Sequence, residues 1–456
     1  MKEKIFLCLA AFLLPLSFCY SHPYSTEDGY SVPTDKDVLE KLDSWQDLKF
    51  GVIFHWGLYS VPGIIESWAL CGEDKKWIYE ERVKRGMTLE QFRQWYWALD
   101  KEFNPCSFDP EKWADIMKDA GMKYCLFTTK HHDGYCMFDT KTTDYKVTAG
   151  PFGENPRSNV TKEVLNAFRG KDFMVGAYFS KIDWHCPYYW SPLFDAPTRR
   201  FNYDREEHPE IFEKFVDFTT VQLEELTTDY GNIDIIWIDG GCFKGTEIGL
   251  DKILSKARTR NPGMICVDRS AGGQEENYMT PEGKIPEKQL NIPWETCEAL
   301  GHWSWQPDAR FKSKNTVIAR LIEIVAKGGN YLLGIGPTPE GTIDDQSQKI
   351  LAEIGVWMRK YGKAIYNTRT TKAYNRGRVW FNADKNGKTL YALYTYKDGD
   401  GVLPEKLQWA GNIPSGKMTL VSTGQTVKYK VSDNIVTVTL PKGLPAESFA
   451  LEFVKK

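Results

Sequence analysis

Across 456 residues there is no CxxC pair, no HExxH, and no GxGxxG after an apolar run. These absences remove the common zinc and thioredoxin-like spacings, the metalloprotease helix and the dinucleotide fingerprint. Neither sign of charge is in excess. With 58 Lys and Arg against 61 Asp and Glu, a net charge of −3 and a pI near 6.2, nothing electrostatic favours nucleic acid or an anionic membrane as partner. There is no repeat of fixed period and no low-complexity linker. What is present is an apolar fraction of 42% with 26% charged residues, which excludes a disordered or fibrous chain. The length suits one large domain and one smaller one. Aromatics are plentiful, with 16 Trp, 23 Tyr and 24 Phe. That surplus suits a cleft that stacks sugar rings, and equally a large aromatic core.

Residues 1–21 read as a secretory signal: Lys2 and Lys4, then an apolar run over 5–18 too short to span a bilayer comfortably, then Cys19-Tyr20-Ser21. The mature chain is expected to begin at His22, to be exported to the periplasm or the medium, and to carry no membrane span. A lipid anchor on Cys19 is the weaker alternative, because bulky Phe18 stands where such a box prefers a small residue. Eight cysteines remain beyond the signal. Several sit in apolar strand-like runs, where a free buried thiol is the simpler expectation.

From about Asp35 to Gly362 short apolar runs alternate with amphipathic stretches, the rhythm of a βα repeat. Strands are expected at 50–54, 124–128, 173–179, 233–238, 264–267 and 331–335, mostly buried on both faces as parallel strands are. Helices are expected at 111–120, 211–228 and 315–327. The chain is therefore α/β, a (β/α)8-like, TIM-type barrel over 22–365; an open doubly wound sheet is the second choice. After about Tyr366, alternating segments at 379–381, 389–396, 406–408, 418–421, 427–431, 435–440 and 449–453, divided by turns such as Asp398-Gly399-Asp400-Gly401, predict an antiparallel β-sandwich over 366–456.

In such a barrel the residues just past each strand line the active site. Here those positions are chemically loaded: His55-Trp56-Gly57, then Lys130-His131-His132-Asp133-Gly134, then Ser180 with Asp183-Trp184-His185, then Asp239-Gly240-Gly241, then Asp268-Arg269. Four of the seven histidines fall there. His55 alone is more simply a structural histidine. The adjacent His131 and His132 can both reach a polar cleft; a metal would need a third ligand that no spacing supplies, so hydrogen bonding to a ligand's hydroxyls is favoured. Asp239 ends a run of apolar residues, where a carboxylate is costly without partners. It is either catalytic or bonded to the amides of its own turn.

These strings resemble the α-L-fucosidases of glycoside hydrolase family 29. The likeness runs through Lys49-Phe50-Gly51-Val52-Ile53-Phe54-His55-Trp56-Gly57, Thr129-Lys130-His131-His132-Asp133-Gly134, Gly176-Ala177-Tyr178, Trp237-Ile238-Asp239-Gly240, Trp294-Glu295-Thr296-Cys297 with Trp303-Ser304-Trp305, and Gly329-Asn330-Tyr331-Leu332-Leu333. The resemblance implies a retaining hydrolase of terminal α-L-fucose from oligosaccharides or glycoconjugates, needing no metal and no cofactor. It implies Asp239 as nucleophile, with His55, His131, His132 and Trp237 holding the sugar, and Tyr178 and Arg269 near the sugar and the nucleophile. Glu66 and Trp68 resemble the family's Glu-Trp pair, although Ser67 intervenes.

For the acid/base two carboxylates compete. Glu282 lies in a loop resembling the one that carries the acid in the family and is preferred; Glu295, in the better-marked motif, is the alternative, and Glu275, Glu276 and Glu287 are outside candidates. Two other functions stay open: an α-L-galactosidase of the same fold, and a sugar-binding protein without catalysis. The aromatic stretch 71–97 either shapes a leaving-group subsite or packs as an ordinary helical excursion. Oligomeric state has no signal in the sequence.

Overall fold

A computed structural model describes residues 30–73, 75–269 and 275–456, so the expected signal at 1–21 lies outside the described residues. Seven parallel strands form one sheet: β1 Phe50–Phe54, β2 Tyr124–Lys130, β3 Met174–Ser180, β4 Ile235–Asp239, β5 Ile265–Asp268, β6 Glu295–Ala299 and β7 Asn330–Ile335, in the order β5-β4-β3-β2-β1-β7-β6. All six expected barrel strands are present. β6 was not expected, because its sequence Glu-Thr-Cys-Glu-Ala is not apolar. Its charges are matched inside the fold instead: Glu298 bonds Arg320 and the Tyr331 hydroxyl.

The ring is closed between β5 and β6 by the irregular segment 277–283. Asn277 exchanges two bonds with Cys266 of β5, its amide donating to the carbonyl and its Oδ1 accepting from the Cys266 amide, each 2.8 Å. On the other edge the Glu295 amide donates to the Met279 carbonyl at 2.8 Å, and the Gly283 amide to the Cys297 carbonyl at 2.9 Å. Glu282, expected in a loop, thus rides on the last turn of an eighth stave beside β6.

Alternation along the strands separates two cores. In β1, Phe50, Val52 and Phe54 face the surrounding helices, while Ile53 joins Leu126, Tyr178, Trp237, Val267, Cys297 and Leu332 inside the barrel. Gly51 also points inward. A Cβ there would lie 2.4 Å from the Tyr124 ring, so the missing side chain makes room for that tyrosine. The helix Lys36–Leu48 starts where Asp35 accepts from the amides of Asp37 and Val38, and it plugs the N-terminal end of the barrel with Trp45, whose ring lies 4.4 Å from that of Tyr278 at a tilt of 34°. The outer helices carry similar starts: Asp109 before Pro110–Asp119, Ser313 before Lys314–Ala326 and Asp344 before Asp345–Tyr361.

Eight antiparallel strands follow: β8 Thr368–Arg376, β9 Val379–Asp384, β10 Thr389–Tyr394, β11 Lys406–Ala410, β12 Pro414–Leu420, β13 Lys428–Ser432, β14 Ile435–Thr439 and β15 Phe449–Lys455. They form a five-stranded sheet, β12-β15-β10-β9-β8, and a three-stranded one, β11-β14-β13. Trp409 joins the two faces, 5.5 Å from Phe381 and 6.1 Å from Phe453. The sandwich was expected; its polar first strand β8 was not. Trp357 Nε1 donates to the Ser448 carbonyl at 2.6 Å and Asn382 Nδ2 to the Ala364 carbonyl at 2.9 Å, fastening the sandwich to the barrel helices. Among the described residues Cys71, Cys106, Cys125, Cys136, Cys186, Cys266 and Cys297 are free thiols, and all of these but Cys106 are buried.

Candidate active site

The strand ends and the loops beyond them enclose a cavity of about 950 Å³. Every site residue expected from sequence lines it except Glu295: His55, Glu66, Trp68, His131, His132, Tyr178, Trp237, Asp239, Arg269 and Glu282. Glu275, Glu276 and Glu287 are not in its lining.

Asp239 ends β4 and collects donors. The Tyr178 hydroxyl gives its Oδ2 a bond of 2.7 Å, the Gly240 amide gives its Oδ1 one of 2.8 Å, and Arg269 Nε lies 3.4 Å from Oδ1. Burial pushes this carboxyl up, but Arg269, His132, Tyr178 and the Gly240 amide more than offset it, so the group is held well below the usual carboxylate range. It is an ionised carboxylate facing the cavity. The amide of its own turn takes one oxygen, Oδ1, and the Tyr178 hydroxyl from the neighbouring strand takes the other, Oδ2.

Arg269 also donates from Nη1 to Glu282 Oε2 at 2.7 Å, so one guanidinium touches both carboxylates. Trp303 Nε1 donates to the other Glu282 oxygen at 3.1 Å while its ring lies 4.9 Å from that of His55. The Glu282 side chain is 45% exposed, open to whatever departs from the site. Glu295 differs on each count. It is fully buried inside the barrel, accepting from Trp237 Nε1 and the Tyr124 hydroxyl at 2.9 Å each, and burial pushes its carboxyl up to about 7.

The polar string after β2 divides by role. Lys130 turns away to Asp183 and Gln222, at 3.0 and 2.9 Å, and Asp133 accepts from the Tyr96 hydroxyl at 2.6 Å; both sit in the buried wall. His131 and His132 face the cavity with rings 4.1 Å apart. The Ser180 hydroxyl donates to the Ile182 carbonyl at 2.8 Å, so toward His132 Nδ1, 2.7 Å away, its oxygen accepts. His132 therefore carries its hydrogen on Nδ1, and Nε2 keeps a lone pair. Burial holds this ring neutral, its pKa lowered to about 4, and His55 likewise to about 3. His131 Nδ1 lies 2.7 Å from Ser67 Oγ, so the serine inserted between Glu66 and Trp68 supports a neighbouring ring rather than interrupting the site.

Glu66 is buried, and its Oε1 has no hydrogen-bond partner among the described residues. Burial, with the Glu282 charge nearby, pushes its carboxyl up to about 8, which makes it a neutral acid at neutral pH. Sequence reasoning marked Ser180 at a strand end and Trp77 within the aromatic stretch 71–97 but gave neither a bonding partner, met Ser67 only as the residue between Glu66 and Trp68, and quoted Trp303 only within a family string. Arg199 and Arg200 it did not single out; they come from a distant loop with no local signal. Within 71–97, Trp77 lines the cavity, whereas Tyr79, Trp95 and Trp97 do not. No three His, Cys, Asp or Glu side chains converge as a metal ion requires among the described residues.

The sequence model of the family described as Alpha-L-fucosidase matches residues 17–363. The chain belongs to the α-L-fucosidase family. The α-L-fucosidase relatives include human plasma alpha-L-fucosidase, 28% identical over 378 residues, 78% of this chain and 76% of that protein. Human tissue alpha-L-fucosidase is 28% identical over 435 residues, 90% of this chain and 88% of that protein. Among solved structures, alpha-L-fucosidase isoenzyme 1 from Paenibacillus thiaminolyticus superposes with a TM-score of 0.77 at 28% identity, covering 92% of this chain and all of that one. The Thermotoga maritima alpha-fucosidase in complex with fucose gives 0.74 at 25% identity, covering 93% and 97%. The chain is thus a glycoside hydrolase of family 29, and the expected barrel and sandwich are the family's architecture. Among the described residues no helix is long and apolar enough to cross a membrane.

Proposed function

We propose that this chain is an exported retaining α-L-fucosidase in which Asp239 is the nucleophile and Glu282 the acid/base. The observation that carries the reading is the pair of carboxylates bridged by Arg269, one ionised and held by Tyr178, the other half-exposed at the cavity side. Retention requires two carboxyl groups about 5–5.5 Å apart. In the first step an Asp239 oxygen bonds to the anomeric carbon as the bond to the leaving oxygen breaks, and Glu282 gives that oxygen its proton. In the second, Glu282 takes a proton from water, the water oxygen bonds to the anomeric carbon, and the ester to Asp239 breaks. His132 Nε2 and His55 accept from sugar hydroxyls, the neutral Glu66 acid donates to one, and Trp237 with Trp303 offers apolar surface to the ring and its methyl group. The division into a catalytic barrel at 22–365 and an accessory sandwich at 366–456, with removal of 1–21 on export to the periplasm or medium, belongs to the same proposal. The substrate is a fucosylated oligosaccharide or glycoconjugate.

The test is release of L-fucose from an aryl α-L-fucoside and from branched fucosylated oligosaccharides, with the first-formed anomer read by NMR. Early α-L-fucose supports retention; β-L-fucose overturns it. Release of sugar from an α-L-galactoside but not from the fucoside would move the assignment to the other L-sugar.

Two effects on ring binding follow from the hydrogen-bond directions. Ser180→Ala frees the His132 Nδ1 hydrogen and lets the other tautomer form, so the dissociation constant for L-fucose rises about three- to tenfold, the weight of one hydrogen bond. Titration calorimetry reads it. Glu66 donates only while protonated, and its raised pKa keeps the proton until about pH 8. Fucose affinity in the wild type is accordingly expected to weaken as pH rises through about 8, and to stay level there in Glu66→Gln.

A further inference from the structure

A single fucose ring does not fill a cavity of about 950 Å³, and the lining continues outward from the nucleophile along a path of rings. The Trp68 ring lies 5.0 Å from His132, and Trp77 lies 5.6 Å from Trp68, edge-on. Trp77 is 44% exposed, an indole left in water two ring steps from the sugar-holding histidine. That is the reach of a second saccharide unit, and an exposed indole face is what such a unit stacks on.

The charges along this outer arm are cationic: Lys75, Arg199 and Arg200. Arg199 is engaged by Glu73 through two bonds of 2.6 and 2.7 Å and covers the Trp68 ring at 5.1 Å. Lys75 stands 3.5 Å from the same Glu73, which two cations therefore share. Arg200 is exposed, and its guanidinium has no ion-pair or hydrogen-bond partner among the described residues. Its backbone is nevertheless fixed: its carbonyl accepts from Trp190 Nε1 at 3.0 Å, and the Arg199 carbonyl accepts from Tyr189 Oη at 2.8 Å and Trp184 Nε1 at 3.2 Å. These two arginines are thus mounted on a rigid aromatic floor and are not part of a free surface loop. The negative charges of the inner site do not explain them, since Arg269 already bridges Asp239 and Glu282 and Glu66 is neutral. In a chain of net charge −3, cations gathered at a cleft mouth mark the sign of what enters.

We propose that the outer arm is a leaving-group subsite for an acidic saccharide, whose ring rests against Trp77 and whose sulfate ester or carboxylate is held by Arg200 with Lys75. This deepens the fucosidase reading and rests on it. A guanidinium meets either oxyanion with two parallel hydrogen bonds, so both sources share one chemistry.

The test compares three fucosylated oligosaccharides of the same skeleton: neutral, sulfated on the sugar next to fucose, and carrying a uronic or sialic acid there. At low salt the wild type is expected to show kcat/KM about five- to tenfold higher for at least one acidic form than for the neutral one, with the advantage shrinking at high salt. In the double variant Arg200→Gln, Lys75→Gln the ratio of acidic to neutral falls to near one. Which acidic form gains more separates sulfate from carboxylate. Equal rates on all three in the wild type overturn the proposal, and so does an advantage that survives in the double variant. An aryl α-L-fucoside run alongside reports the fucosidase reading by itself. If that substrate is not cleaved, the same acidic-to-neutral comparison is read as dissociation constants of the three defucosylated saccharides by quenching of tryptophan fluorescence, which needs no turnover.

Discussion

Asp239→Asn is expected to abolish turnover, with kcat reduced on the order of 10⁴-fold or more, equivalent to about 5.5 kcal/mol of transition-state stabilisation. The substitution is chosen for what it keeps. An amide oxygen still accepts from the Gly240 amide at the position now bonded at 2.8 Å, and the side-chain volume is unchanged. If Asp239 served only to fix its turn, the Asn variant would retain most of its activity. What the amide lacks is the ionised oxygen that Tyr178 and Arg269 now steady, and no other group in the lining lies in the same place. A companion variant sharpens the result. Asp239→Gly leaves a space on the face of the ring opposite the leaving group, and added azide is expected to fill it and restore release of a good leaving group. Because azide attacks from the nucleophile's side without a second displacement, the product is the fucosyl azide of inverted anomeric configuration, identified by NMR. A rescued product with retained configuration, or an Asn variant with near-normal kcat, assigns the nucleophile elsewhere.

Most of this architecture was legible because one rule governs it. A strand buried on both faces must be apolar throughout, so the polar residues that follow it stand out, and in a barrel they converge at one end. That is why His55, His131, His132, Asp239 and Arg269 could be named from local pattern. The rule fails where a stave is not apolar. β6 places Glu295 inward onto Trp237 and Tyr124, and Glu298 onto Arg320 and Tyr331, so its charges hide a strand. The closing segment 277–283 contains Pro281 and pairs through a side chain, Asn277 Oδ1, so no alternation marks it. Division of labour within a string is likewise invisible from sequence. Lys130 and Asp133 bracket the two histidines yet belong to the wall, because their partners Asp183, Gln222 and Tyr96 come from elsewhere in the chain. Ser67 and Trp303 reach the site from long loops, and only the folded chain shows that they hold His131 and Glu282.

The competition between Glu282 and Glu295, left open by sequence, is decided by two substitutions that damage different properties. Glu282→Gln removes a carboxyl that is 45% exposed beside the nucleophile and bonded only at the cavity side. Loss of a general acid typically costs about 10²–10⁴-fold, and the loss depends on how much the leaving oxygen needs a proton. Glu282→Gln is therefore expected to lose at least about 10²-fold on fucosylated oligosaccharides, whose leaving groups are alcohols. With a nitrophenyl fucoside, whose leaving group departs unaided, a rapid burst of phenol should remain, followed by slow turnover because the second step has lost its base. Glu295→Gln should do the reverse. Its two oxygens accept from Trp237 Nε1 and the Tyr124 hydroxyl inside the barrel, and an amide presents one donor where an acceptor stood. An unmatched buried donor costs about 1–3 kcal/mol, so the urea midpoint falls. Rates on oligosaccharide and nitrophenyl substrates fall together and by little, since the proton donor is intact. A burst that appears in Glu295→Gln and not in Glu282→Gln reverses the assignment, and it would require the buried glutamate to reach the cavity past the Trp237 ring that now covers it.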